Sequence, residues 1–140
     1  MKKASLSIIV VLMCFLAACT EDTFEETKMN QQPPSNLSYS QLINAYLGEG
    51  FKSGQPSVQT NGQEPTFILT GGRSSTNEMD EAMLSLFEVV DSTGIVKLEE
   101  GNMLGLDAYQ LDISVETIYG KTDFPAGFTF EITEEPVEAE

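Results

Sequence analysis

The chain has no histidine and no tryptophan, and its two cysteines, Cys14 and Cys19, both lie near the N-terminus. Without histidine it lacks the commonest general base and the commonest zinc ligand. Without tryptophan it lacks the best flat surface for stacking a sugar ring. Beyond Cys19 there is no thiol, so a folded region must hold by packing and not by disulfides. Positive charge is scarce: 7 Lys and Arg stand against 22 Asp and Glu, a net charge of −15. Such a surface repels phosphate backbones and anionic headgroups, which argues against nucleic acid as a partner. Long apolar runs are missing too. The longest, from about Leu6 to Leu16, falls short of the ~20 residues that span a bilayer.

That short run has a definite shape. Lys2 and Lys3 precede it, and Leu16-Ala17-Ala18-Cys19 closes it with small residues before a cysteine. The order of charged, apolar and small residues is that of a secretory signal. The terminal cysteine resembles the lipobox of bacterial lipoprotein precursors, and the resemblance implies cleavage before Cys19 and acylation of its thiol. Residues 1–18 are then a signal peptide, and loss of Lys2 and Lys3 takes the net charge from −15 to −17. Thr20 stands where enteric lipoproteins retained at the inner membrane carry Asp. The acidic stretch after it resembles the surface-export signals of Bacteroidetes lipoproteins. Together these imply an outer-membrane, cell-surface location, with membrane contact through lipid and not through a basic face.

Residues 19–35 are polar, acidic and nearly free of large apolar side chains, which predicts a flexible tether stiffened at Pro33-Pro34. From residue 36 to 133 the pattern changes to a period of two. Tyr109, Leu111, Ile113 and Val115 alternate with Gln110, Asp112, Ser114 and Glu116. Phe128, Phe130 and Ile132 alternate with Thr129, Glu131 and Thr133 in the same way. Shorter strand-like runs cover 66–70, 87–90 and 95–98, with weaker ones over 37–47 and 51–58. Asp91-Ser92-Thr93-Gly94 reads as a tight turn. About seven short strands predict an all-β, antiparallel sandwich. One or two helical turns are expected within 77–84, and a frayed acidic tail over 134–140.

The alternation predicts a core of Phe67, Leu69, Phe87, Val89, Ile95, Leu111, Ile113, Val115, Phe128, Phe130 and Ile132. Tyr39, Tyr46 and Phe51 are explained by core packing as well. Asp112 is expected to face water and to matter little for stability.

The run Phe87-Glu88-Val89-Val90-Asp91-Ser92-Thr93-Gly94-Ile95-Val96, followed by Tyr109-Gln110-Leu111-Asp112-Ile113-Ser114-Val115, resembles the second half of a cadherin-like repeat. Pro34-Ser35-Asn36-Leu37-Ser38-Tyr39, Gly50, Ser53, Pro56 and the Pro65, Phe67, Leu69 spacing resemble the Ig-like modules of Bacteroidetes lipoproteins. The resemblance implies a seven-stranded Ig-like (cadherin-like) sandwich. The acidic pairs with which cadherins hold calcium are not matched: Gly105-Leu106-Asp107-Ala108 and Glu116-Thr117-Ile118-Tyr119-Gly120 occupy those places.

Three kinds of site can be weighed on these residues. Paired carboxylates could act on a glycosidic bond across a cleft, but no acid sits in an apolar context, so no catalytic residue is assigned and the chain is read as a non-enzyme. Ig strand order would bring the 71–83 and 99–107 loops to one end, gathering Glu78, Asp80, Glu81, Glu99, Glu100 and Asp107 as oxygen ligands suited to calcium. Neither loop has the regular spacing of a dedicated site, and no cofactor is required. Between the last two strands, Tyr119 and Phe124 could form a platform for a glycan, with Lys121 and Asp123 bonding its hydroxyls. The favoured reading of the same residues is that Phe124-Pro125 plugs the end of the core while Tyr119 covers the turn. The resemblance implies a lipid-anchored, non-catalytic envelope module that recognises a glycan or a protein. The alternative is a structural accessory docked on a larger outer-membrane complex.

Overall fold

The computed structural model describes residues 31–40 and 43–135. The signal peptide, Cys19, the tether up to residue 30 and the tail from 136 lie outside the described residues. Nine strand segments and one helical turn follow in order: β1 (Ser35–Ser38), β2 (Ile43–Tyr46), β3 (Phe51–Lys52), β4 (Ser57–Gln59), β5 (Thr66–Ser74), α1 (Glu81–Leu84), β6 (Phe87–Val89), β7 (Val96–Leu98), β8 (Asp107–Thr117) and β9 (Gly120–Thr133). One sheet runs β2-β9-β8-β5; β1 pairs with β4, and β3, β7 and β6 pair in that order. Ser53 joins β3 and β4 into one strand: its N–H donates to the Val96 carbonyl at 2.8 Å and its Oγ accepts from the Val96 N–H at 2.9 Å. The first strand is also split, β1 lying against β4 and β2 against β9. With those halves joined, the nine segments are seven strands in the Ig-like sandwich expected from the sequence. All pairings are antiparallel except β2 with β9, which run parallel because the first strand changes sheet.

The long hairpin β8–β9 is the spine. Leu111, Ile113 and Val115 are wholly buried, and Phe128, Phe130 and Ile132 face the same core from β9. Phe67 and Phe87 are buried as the alternation requires, while Leu69 and Val89 pack against the core half-buried. Ile95 departs from the expectation. It is half-buried, and Val96 and Leu98 are buried instead. The turn sets that phase. Gly94 sits at φ 74°, a Cβ there would meet the Phe67 ring at 2.7 Å, and the Tyr39 hydroxyl donates to its carbonyl at 2.6 Å. The left-handed residue therefore belongs to the turn, whose Val90 N–H bonds the Ile95 carbonyl, and the strand begins one residue later.

The domain also begins earlier than residue 36. Pro34 is fully buried and its carbonyl accepts the Thr122 hydroxyl at 2.6 Å; Ser35 opens β1. In the 77–84 stretch only Glu81–Leu84 is helical, with the Asp80 carboxylate capping the Met83 N–H at 2.8 Å. Residues 77–79 instead run along the β5 edge, where Ser74 N–H bonds Asn77 O and Met79 N–H bonds Gly72 O. Tyr39 and Phe51 pack on the core as expected, but Tyr46 is 37% exposed.

Tyr109, at the start of β8, is buried and donates its hydroxyl to the Gly105 carbonyl at 2.8 Å. This return bond to backbone four residues upstream is the tyrosine corner of Greek-key sandwiches.

Two expectations follow for stability. Ile113→Ala should cost about 2–5 kcal/mol, the range for a buried aliphatic truncation. Asp112→Ala should cost about 1 kcal/mol, because its Oδ1 accepts the Ala126 N–H at 2.8 Å and that donor would be orphaned. Asp112 therefore matters more than its polar phase suggested. Urea melts of the two variants check both values.

Burial raises the pKa of the Tyr39 hydroxyl, and burial followed by the nearby Asp107 carboxylate raises that of Tyr109. Both folded values lie above the ordinary tyrosine value of about 10. Their contribution is complete below that value and is lost as pH rises through it toward the folded values, because the unfolded chain ionises first. Denaturation midpoints between about pH 9 and pH 11 should fall, and Tyr39→Phe should flatten the fall.

Candidate functional site

The β8–β9 hairpin carries the four residues weighed for glycan contact, and it does not assemble them into one surface. Tyr119, in the turn, is half-buried and accepts from Gln63 Nε2 at 3.4 Å. Lys121 lies opposite Glu116 and Asp123 opposite Ser114. Both are exposed on the outer side of β9, with Asp123 accepting the buried Ser114 hydroxyl at 2.5 Å. Phe124 pairs with Ile113 and packs against the core, the plug and not the platform. Among the described residues Tyr119 therefore has no aromatic partner at the surface.

The acidic loops do meet at one end of the sandwich. A hydrogen bond from the Ser75 side chain lowers the pKa of Asp107, opposed by partial burial and aided by the Ala108 and Ser75 N–H groups. The six carboxylates nevertheless do not converge, and among the described residues no three acidic side chains come together to hold a cation. Asp80 is engaged as the helix cap, and Glu78 lies against the β5 edge opposite Arg73. A specific weak site in millimolar calcium would add about 1–3 kcal/mol. Calcium and sodium chloride at matched ionic strength should instead raise the melting temperature equally, since both screen the acidic surface.

The most irregular part of the main sheet lies elsewhere. β5 is bulged between Leu69 and Gly71, and β9 is bulged opposite Asp112, where register jumps from Phe128 to Phe124. Ala126 supports the second bulge at φ 53°. Both irregularities flank one residue of β8, and bulges of this kind re-aim side chains and bend their strand. They border an open concavity of about 510 Å³ lined by Arg73, Glu78, Asp112, Pro125 and the side-chain-free Gly71 and Gly72. Arg73 is the chain's one arginine. Its Nε donates to Gln110 Oε1 at 2.9 Å, and the ion pair found among the described residues is Lys97–Glu88, not one of its own. Sequence reading passed over Arg73, Gln110 and Asp112 because they are far apart in the chain; the Gly71-Gly72 pair beside a lone arginine was the available signal.

No family model and no curated protein matches the sequence. Among solved structures, the fold is similar to a SusE-like surface-located polysaccharide-binding protein from the Bacteroides thetaiotaomicron heparin utilisation locus, with a TM-score of 0.59 and 13% identity. That alignment covers 70% of this chain and 16% of the other, so the likeness concerns one portion of a much longer protein. Murine CRIg aligns over 74% of this chain and 98% of its own, at 11% identity and a TM-score of 0.45.

Proposed function

We propose that this chain is a lipid-anchored, non-catalytic binding module of the bacterial cell envelope, displayed at the outer-membrane surface and recognising a glycan or a partner protein. The observation that carries the reading is the lipobox pattern ending at Cys19, ahead of a single sandwich that lacks histidine and thiol. The loop carboxylates, which do not converge among the described residues, support a module without chemistry. The polysaccharide-binding protein that shares this fold supports a surface role of the same broad class. It does not extend to heparin-like polymers, because a chain at −15 repels a polyanion.

The alternative is an accessory that docks on a larger outer-membrane complex. Met103 at 94% exposure, with Leu47 and Leu106 also exposed, favours it as an apolar contact at the acidic-loop end. Its sheet edges do not favour docking by strand addition, since residues 77–79 already line part of β5.

Intact-mass analysis of protein extracted from membranes tests the anchor. The expected mature N-terminus is Cys19 carrying acyl chains, and a free thiol or a different N-terminus would overturn it. Protease shaving of whole cells should remove the protein; survival would place it on the periplasmic side.

A further inference from the structure

We propose that the concavity between the two bulges is a binding site for a neutral, hydroxyl-rich glycan, held edge-on by Arg73, Asp112 and Glu78. The proposal rests on the glycan branch of the function above and places the site on the outer face of β5, β8 and β9, not on the 118–125 hairpin.

The donor and acceptor set is the first argument. Gln110 takes the Arg73 Nε–H at 2.9 Å, which fixes the guanidinium plane and leaves its terminal nitrogens to donate. Asp112 uses Oδ1 for the Ala126 N–H at 2.8 Å, leaving Oδ2 as an acceptor. Adjacent hydroxyls both donate and accept, so a cation beside two carboxylates suits a diol. An anionic sugar would meet Glu78 and Asp112 as like charges, within a chain already at −15.

Shape is the second argument. A Cβ on Gly71 would sit 3.2 Å from Asp112 Oδ2, so any larger residue there would crowd the acceptor. Gly72 faces the other way, into the core, where a Cβ would meet Met79 Sδ at 2.9 Å and Leu111 Cδ2 at 3.0 Å. Gly71 thus keeps the floor low, and Pro125 and Leu84 give apolar surface for the C–H face of a ring. An opening of about 510 Å³ accommodates a short oligosaccharide. An arginine in a chain with 22 acids would be expected to carry an ion pair; among the described residues it forms none, and it lines the opening.

The single arginine supplies its own reporter, since the whole mature protein in detergent micelles has one arginine Nε–H resonance. Titration with neutral hexaoses of glucose, mannose and galactose should shift that resonance for at least one of them, whereas oligogalacturonate and heparin hexasaccharide should not move it. Arg73→Gln should weaken the active neutral sugar about tenfold or more, and Arg73→Lys should not restore it, because the fork geometry is lost. Neither exposed change should alter the melting temperature. If a neutral glycan binds while the Arg73 resonance stays fixed, the site is wrong though the glycan reading stands. If none of the sugars binds anywhere, site and glycan reading fall together. If only the anionic sugars shift the resonance, the ligand class is overturned.

Discussion

Phe130 holds the two sheets together, and the rest of the domain is arranged around it. From β9 its ring meets Tyr109 stacked at 5.1 Å and 15°, and it reaches across the core to Phe51 at 5.1 Å and Phe87 at 5.5 Å. Phe128 extends the cluster to Tyr39 at 5.0 Å in an edge-on contact. Many Ig sandwiches hold this place with a disulfide and a tryptophan, and here neither residue type exists in the folded region. Aromatic pairs give about 0.5–1.5 kcal/mol each beyond the area they bury. Several such contacts meeting at one ring can stand in for a cross-link that a thiol-free domain cannot form. Tyr39 and Tyr109 then tie this cluster to backbone, one at the β6–β7 turn and the other at the corner before β8. Packing and loop geometry are fixed by the same side chains.

The parts of this fold that were legible in the sequence are those where strands are regular. β8 and most of β9 alternate without interruption, and their inward residues are the ones the period predicts. The Ig-like strand count was legible for the same reason. What could not be read is every place where backbone irregularity changes the phase. An extra residue at Thr70 moves the inward set of β5 from Phe67 and Leu69 to Gly72 and Ser74. The Gly94 turn moves that of β7 from Ile95 to Val96 and Leu98. A bulge leaves little composition signal beyond a glycine or proline, so a rule of strict alternation fails silently there.

The same limit explains the candidate sites. Local sequence placed Tyr119, Lys121, Asp123 and Phe124 together because they are neighbours along the chain, yet a strand sends neighbours to opposite faces. Phe124 went to the core with Ile113, and Lys121 and Asp123 stayed outside. The six loop acids shared an end of the sandwich without sharing a point. Arg73, Asp112 and Pro125, by contrast, come from three strands and meet only because two bulges open opposite one residue of β8. No local pattern encodes that meeting.

Asp112 shows how structure and surface chemistry share one side chain. Its Oδ1 closes the β9 bulge through Ala126, while the Thr70 hydroxyl of the β5 bulge donates to its carbonyl at 3.2 Å. Both irregularities are therefore anchored on the same residue, and neither bulge can relax to regular pairing without losing one of those bonds. A sheet selected only for stability would gain from pairing straight through, since each bulge leaves residues out of the ladder. Pro125 has no N–H and sits within the β9 bulge, where it leaves no ladder donor unpaired. The bulge accounts for Pro125, but not for Gly71 or for an arginine that forms no ion pair among the described residues. Gly72 serves core packing against Met79 and Leu111, whereas Gly71 and Arg73 face outward and shape an opening with donors and acceptors at its rim.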